Sequence, residues 1–493
     1  MNTSNNRMVS HTSIYMFGDI LRYSTSLIML PIYTRYLTPE DYGVVELLTM
    51  LIDFAAIIFG ARVGQSVFRF YCTATTDAEK NNIISSALFL GVLFNGIGAI
   101  TISVLSAPLS VIVFSDDSFQ RFIILFSITM FLLPLTEIPL VHIRAQQRPW
   151  LFFIFSIIKL VLQVGLNIYF VVYHEMHVDG VVYSAVISSV IMAAMLSGYS
   201  LSKTGFYASI ATCKKLFSFS LPLKLATIGS FYLTFGDRYI LNIYSDLTQV
   251  GIYSLGYKFG FIFTMISWMP FEKMWDSEKY IIYQREDAKA VYQKIFLYVS
   301  SFLILFGLCI SLFVKDLLKI MSDSAFWSAH EIVPIIIIAY VFQAWTKYCS
   351  LGILLNKKTM QIAHAEIVAV LIISIAYFTL IPIYGTHGAA WATVIGFAVR
   401  FYWTYRKGKQ HYDMELPWNR VGLAVTIALV TFSLSLLIPE DIILSIVLRT
   451  ALVICFISIF FILPIFSRDQ KAEVFQTMLL LRRGNKVPYK HDK

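Results

Sequence analysis

Apolar stretches long enough to cross a membrane fill almost the whole of this chain. A membrane-spanning helix needs about 20 mostly apolar residues, and we count fourteen such stretches between residues 13 and 465. Hydrophobic residues make up 57% of the 493 residues and charged residues only 14%, which does not suit a soluble protein of this length. Strands of a membrane barrel would alternate over about ten residues instead. The sequence therefore predicts an all-α polytopic membrane protein with about 14 transmembrane helices.

A short pattern occurs twice in the chain at one offset. The segments VDGVVYSAVIS and THGAAWATVIG place Gly180 opposite Gly388. A second pair, Gly43 and Gly251, has the same separation, since 251 − 43 and 388 − 180 both give 208. Two independent matches at one offset indicate a duplicated membrane unit, which is typical of transporters with a substrate path between the halves.

The offset covers six predicted spans, so both copies enter the membrane in the same orientation. This is a parallel repeat, related by a pseudo-two-fold axis along the membrane normal. We expect a first six-helix lobe over residues 1–205, a second over 206–410, and two C-terminal helices with a tail over 411–493.

The distribution of basic residues gives the orientation. Lys and Arg concentrate in both tails and in every second loop, for example at Lys214, Lys215, Lys357 and Lys358. The positive-inside rule places that side, with both termini, in the cytoplasm. The net charge of +9 is then mostly a topology signal, and we expect no nucleic-acid partner. We interpret the first apolar stretch as a retained span, not a signal peptide.

Three runs resemble a known transporter family. LPIYTRYLTPEDYGVVELL (30–48) is similar to the first-loop signature of polysaccharide flippases in the multidrug/oligosaccharidyl-lipid/polysaccharide exporter superfamily. VGIYSLGYK (250–258) resembles the counterpart in spans 7 and 8, and IPIYGTHGAAWATVIG (381–396) resembles the entry to span 12. The likeness covers the whole chain, and the motifs identify the Wzx-type (O-antigen and exopolysaccharide) branch better than any one substrate.

The resemblance implies a function. A Wzx-type protein turns an undecaprenyl-pyrophosphate-linked oligosaccharide from the inner to the outer leaflet of the bacterial cytoplasmic membrane. The implied partners are the lipid-linked oligosaccharide and membrane lipid, with polysaccharide polymerase and other assembly proteins as further candidates. The sequence leaves no room for a soluble catalytic domain, and we expect no catalytic residue.

Candidate binding residues are the charges inside the spans, because an ionisable group in a bilayer needs a partner or a wet cavity. Nine in-span bases stand against six acids, a surplus that suits an anionic diphosphate headgroup. In the family, spans 1, 2, 7 and 8 line the central cavity, and the bases there that we choose for the headgroup are Arg22, Arg62, Lys224 and Lys258. The alternative for each is a side chain that reaches to the membrane surface or pairs with a carboxylate.

Two acids are candidates for coupling transport to H⁺ or Na⁺. Asp19 lies in span 1, and Glu137 lies between Pro134 and Pro139, whose missing N–H groups leave backbone carbonyls to help hold a cation. The alternative for Asp19 is an ion pair with Arg22, three residues along the same helix face. The five cysteines and nine histidines give no metal-site pattern, so we expect no metal and no bound cofactor.

Three other functions remain open. A cation-coupled drug exporter of the same superfamily would need an acidic cavity, against which the surplus of bases argues. A lipid II flippase shares the architecture. An enzyme such as a polysaccharide polymerase or a multi-span glycosyltransferase would need a large external loop or an acidic metal-binding motif, and neither occurs.

Overall fold

The computed structural model describes residues 18, 28–60, 63–439, 441–467 and 470–471. These ranges contain no strand. Residues 28–36, at the end of predicted span 1, are helical. The α-helices after them are α1 Pro39–Ile58, α2 Gly64–Thr73, α3 Asp77–Val104, α4 Ser106–Phe114, α5 Gln120–Ala145, α6 Pro149–Asn167, α7 His177–Thr204, α8 Ile210–Tyr244, α9 Leu247–Ser267, α10 Met269–Tyr283, α11 Ala288–Met321, α12 Val333–Cys349, α13 Leu351–Leu355, α14 Met360–His411, α15 Trp418–Ser435 and α16 Ile442–Ile462. A π-helical segment, Ile168–Tyr173, extends α6, and a 3₁₀ helix, Ser324–Glu331, follows α11.

The helices account for the predicted spans. Within the described part of the chain, ten helical segments are long and apolar enough to cross a membrane. Helices α1 and α8 occupy predicted spans 2 and 7, and both carry charged residues. The 52 residues of α14 contain spans 11 and 12. The predicted fold class, an all-α polytopic membrane protein, is confirmed.

Helix α1 begins where the sequence predicts a helix start. Pro39 is its first residue, a position at which the missing N–H costs nothing. The Thr38 hydroxyl accepts a hydrogen bond from the backbone N–H of Asp41 at 3.1 Å, and the Asp41 carboxylate accepts one from the N–H of Thr38 at 3.1 Å. This reciprocal cap satisfies two backbone donors and fixes the first turn of α1.

The repeat-related glycines Gly43 and Gly251 lie against each other where α1 and α9 cross. A Cβ on Gly43 would stand 2.1 Å from the carbonyl oxygen of Leu247, and one on Gly251 would stand 1.9 Å from that of Pro39. Pro39 and Leu247 are themselves 208 residues apart, so each copy makes the same contact with the other. Such reciprocity is what a two-fold relation produces. The glycines allow a backbone-to-backbone approach that any side chain would prevent.

Helix α14 folds back on itself at Gly385. A straight helix of 52 residues would be about 78 Å long, more than twice the hydrocarbon thickness of a bilayer. Gly385 has φ 54° and ψ −127°, a conformation that a glycine adopts easily and other residues do not. Gly388 then packs against the end of the preceding span, where a Cβ would lie 2.2 Å from the carbonyl oxygen of Leu380. Gly180, its repeat partner, packs in the same way against Phe170, 3.1 Å from a Cβ.

The chain divides into two compact units. Unit 1 comprises Met1–Gly256, Met321–Ile332 and Ala363–Val399, and unit 2 comprises Tyr257–Ile320, Val333–Ile362 and Arg400–Lys493. These units follow packing, whereas the lobes at 1–205 and 206–410 follow the repeat, so the division into two lobes stays a prediction.

The two C-terminal helices are attached to the rest of unit 2 by an aromatic cluster and a buried ion pair. The ring of Trp418 at the start of α15 lies 4.9 Å from Phe296 and 5.3 Å from Trp345. On α16, Nη1 of Arg449 lies 2.6 Å from Oδ2 of Asp316, and both side chains are buried. Helices outside the duplication are therefore fixed to α11 and α12 by specific contacts.

Candidate functional site

A cavity of about 800 Å³ lies among the helices of unit 1. Its walls come from α1, α2, α3 and α5 and include apolar side chains such as Val63, Leu133 and Val141. The polar side chains that line it are Asp53, Gln65, Asn95, Glu137 and Arg144. An apolar bundle that encloses charged and amide groups must provide water or a polar ligand for them.

The cavity contains one of the two predicted coupling residues. Glu137 lies on α5, and its side chain is exposed on the cavity. Pro134 lines the same cavity and, with Pro139, lies inside the helix as the sequence indicates. Each proline removes the N–H that would bond the carbonyl four residues earlier. Asp19, the other predicted coupling residue, lies outside the described residues, so its proposed pairing with Arg22 stays a prediction.

Asp53 lines both this cavity and a second, smaller one of about 110 Å³. The smaller cavity is lined by Asp53, Thr129, Thr136, Lys159 and Ser188, on α1, α5, α6 and α7. Asp53 is exposed although it lies on the fifteenth position of a 20-residue helix. Polar side chains from four helices thus line the same small cavity as the Asp53 carboxylate.

Asn95 is the most deeply buried polar group on the larger cavity. Its side chain is 5% exposed, and its amide nitrogen donates to the carbonyl oxygen of Gly91 at 3.0 Å. Among the described residues, the amide oxygen Oδ1 has no hydrogen-bond partner. This oxygen lies 3.2 Å from where a Cβ on Gly60 would stand, and Gly60 also lines the cavity. A buried acceptor left unsatisfied costs about 1–3 kcal/mol, so a water or a ligand group is expected to bond it.

The four predicted headgroup residues lie partly outside the described chain. Arg22 and Arg62 are not among the described residues. Lys224 lies on α8 in unit 1, and Lys258 lies on α9 in unit 2, each half-buried. Neither lines the cavity described above. Their role in headgroup binding stays a prediction.

Asp237 and Arg238, adjacent in α8, form an internal ion pair. Nη1 of Arg238 lies 2.7 Å from Oδ1 of Asp237, and both residues are almost fully buried. The Tyr253 hydroxyl donates to Oδ2 of Asp237 at 2.6 Å, and the Thr393 hydroxyl donates to it at 3.3 Å. This network satisfies a buried carboxylate and connects three helices of unit 1, so its evident role is structural.

Two further in-span bases have acidic partners. Arg449 pairs with Asp316, and the amine of Lys347 lies 3.3 Å from Oε1 of Glu272. With Arg238, at least three of the described in-span bases therefore have acidic partners, and two of these acids, Asp316 and Glu272, lie outside the six in-span acids counted from the sequence. The surplus of positive charge is smaller than the sequence count indicates. The argument for an anionic cargo must therefore depend on where individual bases lie.

The described ranges hold no group of three or more His, Cys, Asp and Glu side chains placed to bind a metal ion. His177 is the first residue of α7, and Nδ1 of its ring lies 3.3 Å from Oδ2 of Asp41.

Sequence reasoning assigned a role to Glu137 but none to Asp53, Gln65, Phe68 or Asn95 on the same cavity. The sequence does contain an indication of Asn95, because an amide inside the 28-residue apolar helix α3 needs a hydrogen-bond partner. Gln65 and Phe68 lie on α2, a short helix beyond the end of α1, and their convergence with α3 and α5 depends on tertiary packing.

Comparison with known proteins gives a family and a fold. A family model described as "Polysaccharide biosynthesis protein" matches residues 8–273, more than half of the chain. A search of curated proteins finds no match.

Solved structures match the fold at low sequence identity. A structure titled "Lipid II flippase MurJ, inward closed conformation" is 14% identical, with a TM-score of 0.71 over 92% of this chain and 99% of its own. An inward-facing multidrug resistance MATE family transporter of the MOP superfamily is 14% identical, with a TM-score of 0.63 over 80% of this chain and 98% of its own. An outward-facing MATE transporter gives a TM-score of 0.53 at 14% identity, over 83% of this chain and 96% of its own. The resemblance seen in the sequence is confirmed at the level of the family model and of the fold.

Proposed function

Because the chain belongs to the polysaccharide biosynthesis protein family, we propose that it is a flippase for undecaprenyl-pyrophosphate-linked oligosaccharide repeat units. It moves them from the inner to the outer leaflet of the bacterial cytoplasmic membrane, with both of its own termini in the cytoplasm. The observation that carries the proposal is the cavity of about 800 Å³ among the helices of unit 1, which has charged and amide side chains in its lining. A hydrophilic cargo requires such a space, whereas a purely apolar cargo does not.

The transport step breaks no covalent bond. The sugars and pyrophosphate cross inside the protein while the prenyl chain stays in lipid. Placing one charged group at the centre of a bilayer costs about 2.5–3.5 kcal/mol on insertion scales, and a diphosphate carries more than one charge. Protein groups that hydrogen-bond the headgroup replace its water and lower this barrier. Alternating exposure of the cavity to the two sides then gives net transfer.

Headgroup binding is assigned in this proposal to Arg22, Arg62, Lys224 and Lys258. Lys224 lies on α8 and Lys258 on α9, and both are half-buried, which suits an ammonium group that binds phosphate at a partly hydrated position. Coupling to an H⁺ or Na⁺ gradient is assigned to Glu137 or Asp19. Glu137 is supported by its exposure on the cavity beside Pro134.

The test is export by the Lys224→Gln/Lys258→Gln double variant in a strain that lacks the chromosomal gene. We expect loss of surface polysaccharide and accumulation of lipid-linked oligosaccharide at unchanged protein level. The matched control is Lys357→Gln/Lys358→Gln, which also removes two positive charges but from exposed loop positions. Normal export by the first double variant would refute headgroup binding by these lysines.

One observation favours a second candidate, a cation-coupled drug exporter. The larger cavity contains two carboxylates, Asp53 and Glu137, against one guanidinium, Arg144, and so is more acidic than the sequence count of bases predicts. A drug-susceptibility assay on the deletion strain separates the two candidates. Increased susceptibility with normal surface polysaccharide would favour drug export.

A lipid II flippase is the third candidate, supported by the fold shared with the MurJ structure. Deletion of the gene decides it, because loss of the only lipid II flippase would abolish cell-wall synthesis. We expect a viable deletion strain with a normal cell wall. Polysaccharide polymerase and other assembly proteins are the proposed protein partners, and co-purification from the native membrane tests this.

A further inference from the structure

The larger cavity of unit 1 has a mixed lining that is unusual for a space between membrane helices. Two carboxylates, Asp53 and Glu137, and two amides, Gln65 and Asn95, share it with an aromatic ring, Phe68. Four of these five side chains are exposed on the cavity, and Phe68 is 49% exposed. The cavity thus offers planar carboxylate and amide groups together with a partly exposed aromatic ring.

This lining does not suit a diphosphate. A phosphate group would meet the carboxylates of Asp53 and Glu137, and like charges at close range disfavour binding. Among the described residues, the basic group that lines the cavity is Arg144, whose guanidinium lies 4.3 Å from the ring centre of Phe152, a residue outside the lining. We therefore assign the headgroup phosphates to the basic residues named above and not to these carboxylates.

The lining does not suit a tightly bound divalent metal ion either. An oxygen-coordinated Ca²⁺ or Mg²⁺ needs about six ligands at roughly 2.0–2.6 Å. The described ranges hold no cluster of three acidic, His or Cys groups that could begin such a shell. A volume of about 800 Å³ is far larger than an ion requires and lies within the range of sites for drug-sized molecules.

Asn95 points independently to a hydrogen-bonding ligand. It is 95% buried, and its Oδ1 finds no partner in the described chain although its nitrogen is bonded to Gly91. The oxygen itself has almost no accessible surface, so a hydroxyl donor in the cavity would satisfy it only after a small movement of the groups around it.

We propose that this cavity is the sugar subsite of the flippase and binds a pyranose ring of the lipid-linked oligosaccharide. Sugar hydroxyls both donate and accept, so they match carboxylates, amide oxygens and amide N–H groups at once. Glu137 and Asp53 accept charge-assisted hydrogen bonds, and Asn95 Oδ1 accepts a third. Phe68 packs against the apolar face of the ring. This inference rests on the proposed function, since it concerns the sugar part of the same cargo.

The test compares two probes on the purified full chain in lipid nanodiscs. One probe is undecaprenyl pyrophosphate, and the other is undecaprenyl pyrophosphate that carries N-acetylglucosamine. For Glu137→Gln and Phe68→Leu we expect binding of the sugar-bearing lipid to weaken about fivefold or more, with undecaprenyl pyrophosphate unchanged. The matched control is Glu278→Gln, an exposed glutamate on α10 that is not part of the cavity lining, which should change neither.

A second variant guards against misfolding. Asn95→Leu keeps the side-chain volume similar and removes the amide, and thermal unfolding of each variant reports its folded state. A role in sugar binding lowers the selectivity for the sugar-bearing lipid in a variant that stays folded. Selectivity that stays at the wild-type value in Glu137→Gln, Phe68→Leu and a folded Asn95→Leu would overturn the inference.

Two other results would also overturn it. Loss of ethidium binding in Glu137→Gln, with lipid selectivity unchanged, would assign the cavity to hydrophobic cations. Binding of neither lipid by the wild-type protein would overturn the proposed function together with the sugar subsite.

Equal weakening of the binding of both probes by Lys258→Gln, together with loss of sugar selectivity in Glu137→Gln, would support separate phosphate and sugar subsites.

Discussion

Replacement of Gly43 by alanine should separate two helices that the fold holds in backbone contact. The new Cβ would stand 2.1 Å from the carbonyl oxygen of Leu247, whereas real Cβ contacts stay beyond 3.0 Å. Backbone cannot rotate aside as a side chain can, so α1 and α9 would have to move apart by about 1 Å. Overpacking of this kind costs roughly 1–3 kcal/mol. Gly251→Ala should cost a similar amount, because its Cβ would stand 1.9 Å from the Pro39 oxygen.

Thermal unfolding of the purified protein in detergent measures the effect. The matched control is Gly198→Ala on α7, where no atom lies within 4 Å of the added Cβ. Alanine there removes the flexibility of glycine and should be neutral or stabilising by up to about 1 kcal/mol. The double variant Gly43→Ala/Gly251→Ala should cost less than the sum of its parts, since one separation accommodates both methyl groups. Equal unfolding temperatures for Gly43→Ala and Gly198→Ala would refute the close crossing.

Other substitutions test the attachment of the C-terminal helices and the fold-back of α14. Arg449→Leu leaves the buried Asp316 carboxylate without its cation and should destabilise the protein by about 3–5 kcal/mol, measured by thermal unfolding. Asp316→Leu combined with Arg449→Leu should recover most of that loss; a double variant as unstable as the single one would contradict it. Gly385→Ala should cost about 1–3 kcal/mol from backbone strain alone, because no atom lies within 4 Å of the added Cβ. Wild-type stability of Gly385→Ala would contradict the positive φ there.

The helices could be predicted from the sequence because a bilayer demands about 20 apolar residues for each span. The contact between Gly43 and Gly251, in contrast, could not be predicted from the sequence. Their common offset indicated a duplication, but nothing in the sequence showed that the two glycines touch. Crossing points depend on how whole helices pack, and a glycine pattern only marks where a close approach is tolerated.

One buried ion pair could be expected from the sequence, and another could not. Asp237 and Arg238 are neighbours in sequence, so their ion pair could be predicted. Asp316 and Arg449 are 133 residues apart and lie on helices whose packing the sequence does not reveal. For this reason the count of in-span bases overstated the positive surplus.

The cavity could be predicted only in part. Glu137 was identified because prolines flank it inside an apolar helix. Gln65 and Phe68 were not, because a polar or aromatic residue near the end of a span usually marks the membrane interface. Only the packing of α2 against α3 and α5 shows that they line the same space as Glu137.

Leaflet transfer in proteoliposomes tests the central claim most directly. Vesicles that contain the purified protein and a fluorescent undecaprenyl-pyrophosphate-linked disaccharide would be treated with a membrane-impermeant quencher. We predict that the quenched fraction rises from about half to nearly all of the lipid with the wild-type protein, and stays near half with Lys224→Gln/Lys258→Gln. A protected fraction that is equally large with and without the wild-type protein would contradict the account.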